Sequence, residues 1–511
     1  MFAQSIARSA QVFGPAIAVQ AEGRSWTFSA FGGAVAQTAG GLSHLGVKRG
    51  DRVAVLASNS PEHLLALYAV LWMGAVLLPL NTRLSPDEMV TITADAGAVA
   101  LFSDAANRGA AETLLATRRL ISVALDDGAA GSLTLAGLGD GPSIGTANIA
   151  AGDLAAIYYT GGTTGAPKGV MVSAGAFLAQ AMVLAVELAL DADAVLLHAP
   201  PLFHLAGMGL AQGCTIGGAT QVFLPDLAPD RFLQAVATTR ATHLSLVPTM
   251  IAGLVERDGF SEAVTLVRRI AYGTSPITEH LLRRVMTRAP QVQFTQIYGQ
   301  TECTGPCLFL PPQNHVLTGR GAGKLAFAGR PSAISEVQIH APDGTPLPIG
   351  DAGEIVLRSA AVMLGYWNKP DVTAETLRDG WLHTGDVGVM DDAGFVRVVD
   401  RLKDMIVTGG EKVFCAEVES VIAEHPAVAY CAVIGLPDAK WGERVHAVIG
   451  LHAKETLALE SLVAHCRARI AGYKCPKSME ITTEPLPLSA VGKIRKDVLR
   501  ARAHANTGRI A

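Results

Sequence analysis

The sequence predicts an α/β protein. We expect a large N-terminal domain of two helix-covered sheets of parallel type plus a small barrel-like subdomain, followed by a small, mobile α+β C-terminal domain. With 511 residues the chain exceeds one ordinary core. Half of its residues are apolar and 17% are charged, as in a packed globular enzyme. Short apolar runs alternate with helix-like segments, the pattern of parallel sheets covered by helices.

The first part of the chain supplies this alternation. Apolar runs predict buried strands at 51–57, 98–103, 154–160 and 243–248, and helices are expected at 61–73, 175–188 and 230–239. Residues 64–80 are apolar or small but shorter than the about 20 residues of a membrane span. They predict a buried helix that turns at Gly74 into a buried parallel strand, with no transmembrane segment.

The character of the sequence changes near residue 320. Gly, Pro and Asp become frequent, and "EVQIHAPDG" and "GEIVLRSA" predict short strands of an antiparallel or barrel-like segment. A compact unit follows Arg401, with helices expected at 416–424 and 459–470 and strands at 428–436 and 447–452. The predicted division is an N-terminal domain at 1–400, a hinge at 401–404 and a C-terminal domain at 405–511.

Charge and cysteine content exclude several classes of protein. A net charge of −4 gives no general attraction to nucleic acid or to an anionic membrane. The seven cysteines form no C-x-x-C pair, which predicts reduced, buried thiols and neither a disulfide framework nor a zinc site. The N-terminus shows no export signal, so a cytoplasmic location is expected. A homodimer is compatible with the sequence.

The stretch "YYTGGTTGAPKGV" at 158–170 has the composition of a phosphate-binding loop. Glycines let successive backbone N–H groups point at one anion, and threonine hydroxyls and a lysine add donors and charge. It is not a P-loop, because Lys168 follows Pro167 and precedes Gly169, so the hydroxyl after the lysine is missing. The glycine spacing also excludes the dinucleotide fingerprint. A flexible turn between two elements is the alternative.

Further motifs follow in a fixed order: "PLFHLAGM", "YGQTE", "WLHTGD", "DRLKDMIVTGGEKV" and "PLSAVGK". With the loop they make the chain resemble the adenylate-forming superfamily, which includes peptide-synthetase adenylation domains and luciferases, and specifically its acyl-CoA synthetases. The resemblance runs from about residue 10 to about residue 500. It implies a ligase that joins a carboxylic acid to AMP and then to coenzyme A, with ATP, Mg²⁺ and coenzyme A as cofactors and co-substrates.

The resemblance assigns the ATP site residue by residue. The loop would hold the β- and γ-phosphates through Thr160, Gly161, Gly162, Thr163, Thr164, Gly165 and Lys168. Gly161 stands where the family usually has Ser. In "YGQTE", Tyr298 would stack on adenine, Gly299 and Gln300 would lie near the acyl phosphate, Thr301 would bind the α-phosphate, and Glu302, with Thr164, would bind magnesium. Asp386 and Arg401 would bind the ribose, and Gly273 of "YGTSP" would line the adenine. That last segment is equally explained as a strand end.

The C-terminal residues implied by the resemblance serve both half-reactions. Lys493 would reach the carboxylate and α-phosphate during adenylation, and Lys403 would be the hinge about which the small domain rotates. The coenzyme A channel would involve Gly409, Gly410, Lys412, Trp441 and Lys474. A packing role explains Trp441 equally well. Cys415 replaces a usual Pro, which we interpret as a packing change.

The acyl pocket is the least determined part of the site. His204 would lie beside the carboxylate, and Ala206, Gly207, Met208 and Gly305 would line the pocket. Small residues there predict an open apolar space, which favours a medium- or long-chain fatty acid, with an aryl acid of the cinnamate, ferulate or benzoate type as the alternative. An enzyme that loads a carrier protein and a non-catalytic nucleotide-binding relative are further alternatives. The presence of Thr301, Glu302, Asp386, Arg401 and Lys493 together disfavours the non-catalytic one.

Overall fold

A computed structural model describes residues 2–128, 133–160, 167–275, 277–487 and 494–507, with side chains through residue 503. These residues form two compact units. The larger comprises residues 2–160, 167–337 and 357–382, and the smaller comprises residues 338–356 and the described residues from 383 onward. The smaller unit includes strands that precede the predicted C-terminal domain. The domain boundary at 401–404 stays a prediction.

The helices of the described residues are short to medium in length, as in most α/β proteins. They are α1 (Phe2–Val12), α2 (Phe28–His44), α3 (Pro61–Trp72), α4 (Pro86–Ala96), α5 (Arg108–Thr117), α6 (Leu135–Gly139), α7 (Ala174–Glu187), α8 (Leu205–Gly217), α9 (Pro229–Thr238), α10 (Pro248–Val255), α11 (Phe260–Ala263), α12 (Glu279–Arg288), α13 (Pro370–Thr376), α14 (Cys415–Ala423), α15 (Leu459–Arg467) and α16 (Lys496–Thr507).

The strands are β1 (Ile17–Ala21), β2 (Arg24–Thr27), β3 (Arg52–Leu56), β4 (Val76–Pro79), β5 (Ala98–Ser103), β6 (Ile121–Ala124), β7 (Leu154–Thr160), β8 (Lys168–Ser173), β9 (Val195–Leu197), β10 (Thr220–Val222), β11 (His243–Leu246), β12 (Arg269–Gly273), β13 (Gln293–Gln300), β14 (Gly305–Leu310), β15 (Arg330–Pro331), β16 (Ser335–His340), β17 (Ala352–Ser359), β18 (Gly365–Tyr366), β19 (Leu377–Arg378), β20 (Trp381–Met390), β21 (Val396–Arg401), β22 (Ile406–Thr408), β23 (Glu411–Val413), β24 (Val428–Asp438), β25 (Gly442–Leu451) and β26 (Ser478–Ile481).

Two large sheets form the centre of the larger unit. One has the order β15-β14-β13-β12-β11-β9-β10-β1-β2, and the other has the order β18-β8-β7-β4-β3-β5-β6. The central strands are parallel. Antiparallel strands lie at both edges of the nine-stranded sheet and at the β18 edge of the other sheet, whose opposite edge strand, β6, is parallel to β5. Apolar residues of the flanking helices pack on the strands in separate buried clusters. The predicted sheets of parallel type are confirmed.

Strand ends position the motifs. In the nine-stranded sheet, β12 ends at Gly273 and its parallel neighbour β13 ends at Gln300, with Gly273 in register with Ile297. "YGTSP" and "YGQTE" therefore begin at the same edge, the carboxyl edge where open α/β sheets bind their ligands. In the other large sheet, β7 ends at Thr160 and β8 begins at Lys168, so the predicted phosphate loop joins two antiparallel strands.

The remaining sheets are mainly antiparallel. β16, β17, β20 and β19 form one sheet, with β21 paired to β20, and β23, β22, β25 and β24 form another, with β26 paired to β25. The last sheet packs with α14 and α15 around a core that includes Val418, Ile422 and Leu462. The α+β character predicted for the C-terminal residues is confirmed.

The predicted elements agree with the structure to within a few residues at their ends. The interpretation of residues 64–80 is also confirmed. α3 ends at Trp72, Gly74 turns with φ 76°, and β4 runs parallel to β3 and β7. None of the helices in the described residues is long and apolar enough to cross a bilayer.

Candidate active site

The "YGQTE" motif forms a tight turn at the end of β13. Residues Thr301–Cys303 make one turn of 3₁₀-helix, and Thr304 closes it by donating its N–H to the Thr301 carbonyl at 2.9 Å. The buried Cys303 thiol lies 3.0 Å from the Gly305 carbonyl and 3.3 Å from the Gln300 N–H. Gly305 has φ 121°, a conformation that side chains with a Cβ rarely adopt. The backbone of the turn is thus fixed around Glu302.

Glu302 is held by a segment distant in sequence. Its carbonyl accepts the Met363 N–H at 2.8 Å, and its Oε1 accepts the Tyr366 hydroxyl at 2.9 Å. Tyr366 is 5% exposed. Burial, and then the charge of Glu302, raise the pKa of Tyr366, so the phenol stays protonated and remains a donor. The predicted magnesium ligand is therefore oriented by a specific hydrogen bond.

Lys168 contacts the ring face of the same tyrosine. Its Nζ is 4.8 Å from the centroid of the Tyr366 ring, within the range of a cation–π contact. Thr160, at the opposite end of the loop, donates its hydroxyl to the Lys168 carbonyl at 3.4 Å. The other predicted loop residues (Gly161, Gly162, Thr163, Thr164 and Gly165) lie outside the described residues.

Asp386 and Arg401 meet across β20 and β21, as expected for a shared ribose site. They are register partners, and Nε of Arg401 is 3.2 Å from Oδ1 of Asp386. The turn that precedes Asp386 is fixed by Glu354, which accepts the Gly385 N–H at 3.0 Å and contacts the His383 ring at 2.8 Å. Asp386 is buried and Arg401 is partly exposed, so the pair combines a fixed acceptor with an accessible donor.

Tyr298, Gly299 and Gln300 lie at the end of β13 as predicted, and Thr301 follows them directly. Gly299 pairs with Pro306 across β13 and β14. Residues beyond Gly305 are supported from α7, where the buried Gln180 side chain donates to the Pro306 carbonyl at 2.9 Å. The structure thus brings the adenine, phosphate and acyl predictions of this motif together at one sheet edge.

The "PLFHLAGM" motif forms the start of α8. His204 is the N-cap residue, and its Nδ1 accepts the Ala206 N–H at 3.2 Å. Met208 is fully buried. A Cβ on Gly207 would lie 2.2 Å from the Pro201 carbonyl oxygen. The small residue at 207 is therefore required by close packing of the helix on the preceding turn, and the space beside it is already filled.

Asn59 fixes that turn from another part of the larger unit. Its side-chain amide donates to the Pro200 carbonyl at 2.9 Å, and its side-chain oxygen accepts the Leu202 N–H at 2.7 Å. This two-point contact places the start of α8, and with it His204. Asn59 was not among the predicted site residues.

The predicted coenzyme A residues have different surroundings. Gly409 donates its N–H to the Trp441 carbonyl at 2.8 Å, and Trp441 is 44% exposed with Nζ of Lys440 over its ring. Gly410 and Lys412 are exposed. Lys474 forms an ion pair with Glu417, with Nζ 2.7 and 2.8 Å from the two carboxylate oxygens, so its charge is already balanced. The assignment of these residues to coenzyme A stays a prediction.

The predicted hinge is an ordered turn. The Arg401 carbonyl accepts the N–H groups of Asp404 and Met405 at 2.9 and 3.1 Å. Burial lowers the pKa of Lys403. Lys493 lies outside the described residues. Pro487 and Arg495, before and after that stretch, are joined by a backbone hydrogen bond of 2.8 Å.

The residues present suit magnesium better than a metal caged by protein ligands alone. No cluster of three or more His, Cys, Asp or Glu side chains in the described ranges is placed to hold a metal. Magnesium is commonly bound by one or two carboxylates together with substrate phosphates. Glu302, placed near the end of a predicted phosphate loop, offers such a carboxylate.

Two family models match nearly the whole chain. A model of AMP-binding enzymes matches residues 6–367, and a model of the AMP-binding enzyme C-terminal domain matches residues 417–493. The chain belongs to the AMP-binding enzyme family. Its relatives show that it is an AMP-forming acid–thiol ligase that uses ATP, Mg²⁺ and coenzyme A.

Similar proteins are related over nearly their full length. A feruloyl-CoA synthase from Amycolatopsis sp is 38% identical, over 97% of this chain and 97% of that protein. A fatty acid–[acyl-carrier-protein] ligase from Streptomyces coeruleorubidus is 33% identical, over 96% and 94%. The structure of o-succinylbenzoate CoA synthetase from Bacillus subtilis, solved with its acyl-adenylate intermediate, superimposes with a TM-score of 0.85 at 30% identity, over 97% of each chain.

The sequence interpretation missed the residues that hold the predicted ones. Tyr366 lies in "LGYWNKP", and Glu354 lies in a stretch that we interpreted only as a strand. Both act through contacts with residues far away in sequence. Nothing in their local pattern distinguishes them from packing residues.

Proposed function

We propose that this protein is a coenzyme A ligase for an aryl carboxylic acid of the hydroxycinnamate type, with ferulate as the representative. The observation that carries the proposal is the 38% identity, over 97% of both chains, to a feruloyl-CoA synthase.

The proposed reaction has two steps. In the first, a carboxylate oxygen of the acid attacks the α-phosphorus of ATP, the bond to the β-phosphate breaks, and pyrophosphate leaves. In the second, the coenzyme A thiol loses its proton and its sulfur attacks the acyl carbon, and the bond to AMP breaks. The products are aryl-CoA, AMP and pyrophosphate.

The main obstacle to the first step is electrostatic, because an anionic carboxylate must approach a polyanion. Preorganised donors and cations reduce this repulsion without reorganising during the reaction. In this chain Lys168 and the hydroxyl of Thr160 would serve the leaving phosphates, and Thr301 the α-phosphate. When bound at Glu302, magnesium would neutralise phosphate charge. Arg401 and Asp386 would bind the ribose.

A fatty acid is the second candidate substrate, and it is the substrate that the sequence motifs alone favour. The relation to a fatty acid–[acyl-carrier-protein] ligase supports it. The same relative supports transfer of the acyl group to a carrier protein as an alternative second step. Both candidates share the adenylation step with the aryl proposal and differ in the acid or in the thiol.

The test is AMP formation by purified protein with ATP, Mg²⁺ and coenzyme A, with octanoate, palmitate, benzoate, 4-coumarate and ferulate in turn. We expect ferulate and 4-coumarate to give the highest kcat/KM and an aryl-CoA product. A preference for octanoate or palmitate would contradict the aryl proposal. Acyl-adenylate without a coenzyme A thioester would instead indicate loading of a carrier protein.

We propose a cytoplasmic location for this ligase. All seven cysteines are free, and six are buried, as expected in a reducing compartment. Fractionation of the source cells would test the location. A homodimer stays a prediction that sedimentation of the purified protein would test.

A further inference from the structure

We propose that Tyr366 is a positioning residue that orients Glu302 for magnesium and supports Lys168 for the ATP phosphates. The proposal rests on the ATP-dependent adenylation described above. It concerns a residue outside the motifs by which the chain was recognised. It depends on three contacts within the larger unit: one to each of these two side chains and one that fixes Tyr366 itself.

The first contact restricts the Glu302 carboxylate. A Glu side chain on a turn has several rotamers. A hydrogen bond to one oxygen of its carboxylate selects among them. The Tyr366 hydroxyl does so at Oε1, at 2.9 Å. An ionised carboxylate has about four acceptor sites, so this bond leaves capacity for a cation at the same group.

The second contact lies on the face of the ring. Nζ of Lys168 is 4.8 Å from the ring centroid, within the range at which an aromatic face attracts an ammonium group. The hydroxyl and the face of one side chain therefore contact two groups of opposite charge. In this proposal Tyr366 holds each of the two groups through a separate contact, so that both can serve the triphosphate and its metal.

The third contact makes Tyr366 a rigid support. Its N–H donates to the Thr373 hydroxyl at 2.8 Å. Its strand, β18, pairs with β8, with Tyr366 opposite Val170. The neighbouring Trp367 N–H donates to the Gly169 carbonyl at 2.7 Å, next to Lys168.

The same short segment is joined to the other motif as well, because Met363 donates its N–H to the Glu302 carbonyl at 2.8 Å. Residues 363–367 thus connect the backbone of the phosphate-loop strand to the backbone of the "YGQTE" turn. Tyr366 repeats this connection at the side-chain level. A displacement of one motif would therefore be transmitted to the other.

Two substitutions separate the two roles. Tyr366→Phe removes the hydroxyl and keeps the ring, whereas Tyr366→Leu removes both. Mn²⁺ replaces Mg²⁺ as a probe, and its binding to the protein–ATP complex is followed by electron paramagnetic resonance. Binding of ATP without metal is measured by calorimetry in excess EDTA. Neither measurement requires a carboxylic acid, so the result does not depend on the aryl proposal.

We expect Tyr366→Phe to weaken Mn²⁺ binding about tenfold, because a hydrogen bond to a charged group is lost. Binding of metal-free ATP should stay within about twofold of wild type. Tyr366→Leu should weaken both. The matched control is Tyr430→Phe, which removes a tyrosine hydrogen bond to the Glu484 carbonyl in the smaller unit and should change neither.

A double-mutant cycle with Glu302→Gln completes the test. In that background Tyr366→Phe should cause no further loss of Mn²⁺ binding, because the two residues act as one unit. Unchanged Mn²⁺ binding in Tyr366→Phe would overturn the proposal. An equal loss of metal-free and metal-dependent ATP binding would also overturn it, since that pattern indicates a general structural role. If wild type binds Mn²⁺ and ATP but activates no aryl acid, only the aryl proposal fails.

Discussion

Asp386 and Arg401 lie opposite each other on antiparallel strands, with Oδ1 and Nε 3.2 Å apart. Because Arg401 is partly exposed, this ion pair contributes at most about 1 kcal/mol to stability. Its value is geometric, since the two side chains present an acceptor and a donor side by side. Such a pair can serve neighbouring hydroxyls of a ribose, which both donate and accept. The assignment to the ribose stays a prediction.

Arg401→Gln should therefore weaken ATP binding far more than it weakens the fold. We expect KM for ATP to rise by about 10- to 100-fold, the loss of one charge-assisted hydrogen bond. The matched control is Arg397→Gln, because Arg397 is exposed on the same strand. An equal rise in both variants would show that loss of any positive charge on this strand is sufficient.

Lys493→Ala should abolish adenylation and leave thioester formation from supplied acyl-adenylate largely intact. A cation that stabilises charge only during attack on the α-phosphorus is not needed once that bond has formed. Single-turnover assays of the two half-reactions measure this, with Lys48→Ala at an exposed lysine as control. Equal loss in both half-reactions would exclude the assigned role.

Lys403→Pro should give the opposite result, with adenylation retained and thioester formation lost. Proline fixes φ and so blocks rotation at the predicted hinge. Lys403→Ala is the control, because it removes the charge and keeps backbone freedom. If Lys403→Pro still forms the thioester at the wild-type rate, the hinge lies elsewhere.

Lys496→Met should destabilise the smaller unit. Nζ of Lys496 is 2.7 Å from Oε1 of Glu419, and both side chains are largely buried. Burial alone would lower the pKa of Lys496, but the nearby Glu419, Cys415 and Asp400 raise it, so the lysine is charged. Removing one partner of such a pair costs about 3–5 kcal/mol.

Chemical denaturation measures this loss, with Arg495→Met as the control at a more exposed ion pair. The double variant Lys496→Met/Glu419→Leu should recover part of the stability, because it also removes the carboxylate that pairs with Lys496 and leaves only the buried Asp400 without the charge of that lysine. A double variant as unstable as the single one would contradict this account.

His198 should make the fold sensitive to acid. Burial lowers the pKa of His198 from 6.5 to about 4. Between these pH values the unfolded state binds more protons than the native state, so stability falls as the pH falls. From pH 7 to pH 5 this one residue should cost about 2 kcal/mol of unfolding free energy.

In His198→Phe that share of the acid sensitivity should disappear. Denaturation of both proteins at the two pH values, followed through the first unfolding transition, measures the difference. The exposed His280→Phe serves as control. A wild-type pH dependence in His198→Phe would show that the imidazole does not remain neutral in the native protein.

Much of the fold could be predicted because its signals are local. The run "AVALFS" is a buried strand at the predicted residues, and Gly74 ends a buried helix where the sequence indicates a turn. Apolar periodicity and glycine reflect local physical constraints, so one sequence is sufficient. The short antiparallel pairings, such as that of β18 with β8 at the edge of a large sheet, depend on contacts across long separations and were not predicted.

The candidate site likewise has a part that local sequence signals predict and a part that they do not. Motifs predicted which groups would contact ATP, and the structure places two of them, Asp386 and Arg401, side by side. Their contact with ATP stays a prediction. The supporting contacts, such as Tyr366 to Glu302, join residues 64 positions apart and have no local signature. At Gly207 the sequence pattern was given the wrong physical cause. We interpreted a small side chain as open space, but it reflects close backbone approach.

The last helix of the described chain has a consequence for protein engineering. Arg500 of α16 binds Asp404 in the predicted hinge turn at 2.7 Å, and Leu499 packs among buried residues of β24 and β25. A shortened gene that stops before Lys496 would therefore delete a part of the core together with two anchoring cations. A separately expressed C-terminal fragment should therefore retain α16.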